Sequence, residues 1–168
     1  MKNITENEIQ ELLTIIPRDY PSLEIYHLTD ENIGISDELY KLCNDNAYEY
    51  ELMILGEAYF EKISQTTELK PHKFEFEKNR YNRHSKMYDF VFVSIDLKEI
   101  QDEKMFFKKL YAVSKNAGKV LFITSLKEDL QALEEKLIAY NYVAVNPIVS
   151  TFSNYQILSA QKMHGWGN

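Results

Sequence analysis

Ile9, Leu12, Leu13 and Ile16 recur at i, i+3, i+4 and i+7, a spacing that predicts an amphipathic helix over residues 6–16. Thr5-x-x-Glu8 ahead of it has the form of a capping box. Pro17 and Pro21 end the helix. The alternating stretch SLEIYHLT, residues 22–29, predicts a strand. A polar loop follows, and Ser36 reads as the cap of a helix over 36–46, with Asp37 and Glu38 in its first turn. Leu39, Tyr40, Cys43 and Ala47 form its expected buried stripe. The run YELMILGEA, residues 50–58, suits either element by content. Its four consecutive apolar residues ending at Gly56 favour a strand over 51–55, then a helix over 57–66 with Tyr59, Phe60 and Ile63 inward. A short strand is expected over Lys73–Lys78.

The second half alternates more plainly. Residues 88–95 read as a strand, and 102–115 as a helix with Phe106, Leu110 and Val113 on one face. Ala117-Gly118 reads as its stop, and residues 119–125 as a buried strand. Ser125-x-x-Glu128 has capping-box form and opens a helix over 126–140, with Leu130, Leu133, Leu137 and Ile138 inward. Strands over 142–149 and 155–163 complete the chain. Strand–helix–strand alternation implies a parallel sheet with right-handed crossovers. The last link cannot obey that rule. Only Ser150–Asn154 joins the final two strands, and a parallel crossover needs about a dozen residues, so this pair must be an antiparallel hairpin. The expected fold is therefore α/β: a Rossmann-like, mostly parallel seven-stranded sheet ending in an antiparallel hairpin, with helices on both faces.

Composition narrows the picture. With 168 residues, 45% of them hydrophobic, the chain suits one domain with a real core. Residues 1–21 read as an N-terminal helix and lead-in to a sheet domain over 22–168. A net charge of −7 argues against general binding to nucleic acid or anionic membranes. Cys43 is the single cysteine, so no internal disulfide can form. The polar start MKNITENEIQELL lacks the apolar region of a signal peptide, and no apolar run approaches about 18 residues. A cytoplasmic protein is the expectation. The four histidines show no paired metal-ligand spacing, so no metal is expected.

Over residues 72–163 the chain resembles the second half of a class I S-adenosylmethionine-dependent methyltransferase. The carriers are Tyr88-Asp89-FVFV-Ser94-Ile95-Asp96, then Ala117-Gly118-KVLFI, then the helix and hairpin ending in SAQKM at Met163. In that family a Tyr-Asp pair commonly opens the fourth strand, and a Gly turn precedes the fifth. The resemblance implies S-adenosylmethionine as cofactor and methyl transfer as activity. Two threadings of the first half compete. In one, 23–28 is the first strand and 51–55 the second, with Glu57 just past its end. In the other, 51–56 is the first strand and 74–77 the second, with an edge strand missing. The first needs no deletion and is favoured.

The resemblance also assigns a site. A Gly-rich turn after the first strand lets backbone approach the cofactor, and an acid after the second strand holds the ribose. In this chain the turn is Thr29–Gly34, with one glycine and acids at Asp30 and Glu31, or else it starts at Gly56, again with one glycine. The family has about three. Asp30, Gly34, Gly56 and Glu57 are the candidate cofactor residues, and Asp96, after the fourth strand, is the candidate catalytic residue facing the methyl acceptor. Each acid has a plainer reading as a turn or first-turn helix residue. Ser94 shows no partner base in the sequence. The loop 78–86 is locally basic, with Arg80 and Arg83 as candidate contacts to an acidic or phosphate-bearing partner, and is otherwise a solvated loop. Trp166, the only tryptophan, either packs on the sheet edge or offers a partner patch. The missing glycines leave a second function open: a domain that kept the fold, lost the cofactor and serves as a protein-interaction module. A Rossmann-like site for another nucleotide is disfavoured, since no G-x-G-x-x-G or P-loop pattern is present.

Overall fold

The computed structural model describes residues 3–65, 68–75, 86–149 and 152–164. Arg80, Arg83, Trp166 and most of the basic loop lie outside the described residues. Helix α1 (Glu6–Leu13) precedes β1 (Glu24–Thr29), α2 (Ile35–Asn46), β2 (Glu49–Ile54), α3 (Glu57–Ser64) and the two-residue β3 (His72–Lys73). Then come β4 (Tyr88–Ser94), α4 (Glu103–Val113), β5 (Ser114–Ser125), α5 (Leu130–Ala139), β6 (Tyr142–Ile148) and β7 (Tyr155–Lys162). The seven strands form one sheet in the order β3-β2-β1-β4-β5-β7-β6. The first five are parallel, and β7 pairs antiparallel with both β5 and β6. The hairpin inferred from the five-residue link is present. β1 pairs with both β2 and β4, so the second threading, which made 51–56 the first strand, is overturned.

Two cores flank the sheet. On one face Ile9, Leu12 and Leu13 of α1 and Leu39 and Cys43 of α2 pack on Phe92 and its neighbours. On the other, Phe106, Phe107 and Leu110 of α4 and Leu133 and Leu137 of α5 pack on Val91, Val93 and Phe122. Five of the expected local details differ. Helix α2 begins at Ile35 with Gly34 at its cap, so Ser36 is not the cap but a buried first-turn residue; Leu42, rather than Tyr40 or Ala47, shares its buried face. Helix α4 stops at Val113, where the Ser114 hydroxyl donates to Leu110 O at 2.8 Å, and residues 114–118 join β5. Ser125–Glu128 closes a turn through Glu128 N–H to Ser125 O, 3.0 Å, while Asp129 caps α5 by accepting from Ala132 N–H at 3.1 Å. Ile138, expected inward, is exposed.

The Tyr-Asp pair that opens β4 has a structural task. Asp89 Oδ2 accepts from Glu24 N–H at 2.8 Å and pairs with Lys115 Nζ at 2.9 Å, and Lys115 also meets Glu24 at 2.7 Å. The starts of β1, β4 and β5 are thus tied by one ammonium between two carboxylates. Lys115→Met leaves those carboxylates facing each other and is expected to cost about 1 kcal/mol, because the group is over a third exposed; the urea midpoint of the variant measures it.

Candidate functional site

Thr29, Ile54 and Ser94 end β1, β2 and β4 in register. The residues that follow therefore share one rim: Asp30, then Gly56 and Glu57, then Asp96. That rim is the carboxyl edge at which open α/β sheets bind ligands. Asp30 bridges the two central strands, its Oδ2 accepting from Asp96 N–H at 2.7 Å. Its other oxygen, Oδ1, is buried without a partner. Desolvation raises the Asp30 carboxyl above its ordinary value, and the Asp96 N–H bond works against that. Asp96 is exposed, and its Oδ1 accepts from Lys98 N–H at 3.0 Å to cap a short 3₁₀ turn, Leu97–Glu99.

Tyr59, on α3, brings a second orphan. Its hydroxyl is buried with no partner, and burial, reinforced by the charges of Asp37, Glu31 and Asp30, pushes the phenol up to about 12. Nothing in the sequence pattern marked Tyr59 beyond an inward helix position. Glu57, at the start of α3, is exposed and forms an ion pair with Lys73 of β3. Gly56 has φ +100°, and a Cβ there would meet nothing within 4 Å. Gly34 also has positive φ, +97°, but its missing Cβ faces Ile9 Cδ1 at 3.1 Å and Ile4 O at 3.6 Å. The Gly34 N–H is held by Asn32 Oδ1 at 2.8 Å.

Beneath the rim lies a polar cluster in an otherwise apolar layer. His27 Nε2 is 2.8 Å from Ser94 Oγ, and its Nδ1 is 3.0 Å from Tyr50 OH and 3.5 Å from Ser36 Oγ. His27 is fully buried, and desolvation lowers its pKa to about 3. The expectation that Ser94 lacks a base is corrected: strand pairing sets it beside His27 across β1–β4, a contact between residues 67 apart in sequence. Ser94 is itself 1% exposed, so the pair is a structural brace rather than a nucleophile open to substrate. Thr29 Oγ1 extends the brace by donating to Ser94 O at 3.1 Å and Glu31 O at 2.7 Å. Cys43 belongs to the core, where burial pushes its thiol up to about 12. Among the described residues no cluster of three His, Cys, Asp or Glu could hold a metal, and no helix is long and apolar enough to cross a membrane. An open groove of about 560 Å³, lined by Tyr20, Asp89, Lys115 and Gln161 among others, lies at the amino ends of the strands, away from these rim residues.

For an adenosyl ligand the rim divides. On the β1–β2 side an unpaired acceptor, an unpaired donor and an open glycine fit such a group. On the α1 side the space left by Gly34 is taken by Ile9.

No sequence-family model matches the chain, and no curated protein matches it. Its fold does have solved counterparts. An O-methyltransferase from Thermotoga maritima, described as S-adenosylmethionine-dependent, superposes with a TM-score of 0.67 over 100% of this chain and 69% of its own, at 9% identity. A methyltransferase from Aquifex aeolicus gives 0.65 over 92% and 89%, at 15% identity. The CurJ carbon methyltransferase gives 0.69 over 92% and 52%, at 12% identity. The chain spans about half the length of the carbon methyltransferases it matches. These likenesses, with the sheet order and terminal hairpin, define a class I methyltransferase-like fold.

Proposed function

We propose that the rim binds S-adenosylmethionine or a related adenosyl ligand and that the domain acts as a methyltransferase. The observation that carries this reading is the buried, unpartnered pair of Asp30 Oδ1 and Tyr59 OH, since buried polar groups are ordinarily satisfied and each orphan calls for a missing partner. Asp30 and Tyr59 hold the ligand on the β1–β2 side, Glu57 exchanges its ion pair with Lys73 for ribose hydroxyls, and Asp96 faces the methyl acceptor. The cofactor, when bound, supplies an electrophilic sulfonium methyl. The protein orients the acceptor against it.

A second reading, a non-catalytic interaction module, is favoured by one feature: Gly34, the single glycine of its loop, is spent on packing against Ile9 and on Asn32. Thermal unfolding separates the two. S-adenosylhomocysteine at about a hundred times its dissociation constant stabilises a binding fold by roughly 2.7 kcal/mol, a rise of about 5–10 °C for a chain of this size. Tyr59→Phe, which removes only the orphan hydroxyl, is expected to raise the ligand-free melting temperature slightly, since an unsatisfied buried group is lost, and to shrink the rise that the ligand brings. No rise at millimolar ligand ends the enzyme reading in favour of the module.

A further inference from the structure

The ends of β4 and β5 part at the rim. The two strands pair no further than Val93 and Phe122. Beyond that point β4 stays with β1, through Thr29 and Ser94, while β5 runs on to Ser125 against β7. Thr124 stands on the β5 side of the parting, level with Ile95 by continuation of the register, and Asp96 follows on the β4 side. The turn after β4 and the turn after β5 meet through Lys98 Nζ and Glu128 Oε1, 3.8 Å apart.

Thr124 is 2% exposed, and its hydroxyl is buried with no partner. It is the third such orphan among the described residues, after Asp30 and Tyr59. Alternation with Val120 and Phe122 puts it on the face packed by α4 and α5, where Ile95, Phe122 and Leu158 also lie, all apolar. Gln156, its cross-strand partner on β7, has no amide hydrogen to spare, since Nε2 donates to Ser125 O at 2.9 Å and to Glu128 O at 2.6 Å. A hydroxyl so placed costs free energy until something meets it.

We propose that the parting of β4 and β5 is the methyl-acceptor subsite, with Thr124 Oγ1 as its inner polar contact and Asp96 as its outer one, and that it takes a small alcohol or amine. The acceptor role rests on the adenosyl-ligand reading above; occupancy of the subsite does not. Asp96 and Glu128 outnumber Lys98 at its mouth, which opposes an anion. Entry requires Lys98 to leave Glu128, an exposed pair of little strength.

Magnetic resonance titration of the whole chain tests occupancy with three probes of one size: propanol, propylamine and propionate. Saturable shifts of the Thr124 and Asp96 amides are expected from the first two and none from propionate. Thr124→Val keeps the shape and removes the hydroxyl. It should bind those two about fivefold more weakly, with a urea midpoint equal to or above that of the wild type. A lower midpoint shows that the hydroxyl already has a partner within the fold, and overturns the subsite. So do equal binding by the variant, an equal response to propionate, and no response to propanol and propylamine. S-adenosylhomocysteine then tests the acceptor role. Probe affinity that changes when it is bound supports the role; its binding without effect on the probes overturns the role alone. No binding of S-adenosylhomocysteine ends the ligand reading and the acceptor role together, and leaves a subsite for small alcohols or amines.

Discussion

Between pH 6.5 and 4.5 the unfolding free energy is expected to fall by about 1.4 kcal/mol per pH unit on account of His27. The imidazole is fully buried among Ser94, Tyr50 and Ser36, and its pKa drops from 6.5 to about 3. The folded chain therefore refuses a proton that the unfolded chain accepts below pH 6.5. Unfolding binds a proton across that window, so acid favours the unfolded state. The stability is fully present above pH 6.5 and is lost progressively as the pH falls toward 3. Summed from pH 6.5 down to about 3 the loss is about 5 kcal/mol, comparable with the whole stability of an ordinary domain. Asp30, raised by desolvation, works in the opposite sense, because the folded chain holds its proton more firmly. The test is therefore a difference: urea unfolding of wild type and His27→Leu at pH 7, 5.5 and 4.5. The variant should start lower, with Tyr50 and Ser94 deprived of their partner, and should lose less on acidification. A slope that survives unchanged in the variant assigns the proton elsewhere.

His27 also shows where sequence pattern stops. The strand that carries it was legible from alternation, since Ile25, His27 and Thr29 lie on one face of β1. What the alternation could not disclose is that Ser94, 67 residues later, lies diagonally across on β4 within hydrogen-bond reach. That contact is set by the pairing of β1 with β4, a long-range fact with no local signature. The same holds for Asp30 and Asp96, placed on the expected rim but not joined by any motif. By contrast, the hairpin of β6 and β7 followed from loop length alone, and the favoured threading followed from counting strands. At Ser36 the helix simply starts earlier, with Gly34 at its cap and no side-chain cap bond; the error at Ser125 has a different source. Side chains of serine and aspartate both cap helices, and where several precede a helix, as with Ser125 and Asp129, the sequence does not say which one meets the backbone. The length of α4 was misjudged because Ala117-Gly118 was read as a stop, when the glycine serves the strand.

That role of Gly118 yields the second large effect. A Cβ placed on it would lie 2.8 Å from Lys115 O, 3.0 Å from Tyr88 O and 3.2 Å from Lys115 N. All three are backbone atoms, and they cannot rotate aside as a side-chain end can. The crowding sits where the β4–β5 register shifts, between Tyr88 and Phe90, and its closest contact is to Lys115 of β5 itself, so relief requires residues 115–118 to rearrange as well as the start of β4 to move. Gly118→Ala is expected to cost about 3 kcal/mol and to lower the melting temperature by about 6–12 °C. Gly56→Ala is the control. Gly56 has φ +100° but open space around the added methyl, so only backbone strain of about 1–2 kcal/mol applies. Because Asp89 and Lys115 share that strand start, Gly118→Ala should also abolish the small penalty of Lys115→Met, the two changes failing to add. Equal costs at Gly118 and Gly56 would mean that the backbone around Gly118 gives way easily, and that close approach does not require glycine before β5 turns into the core.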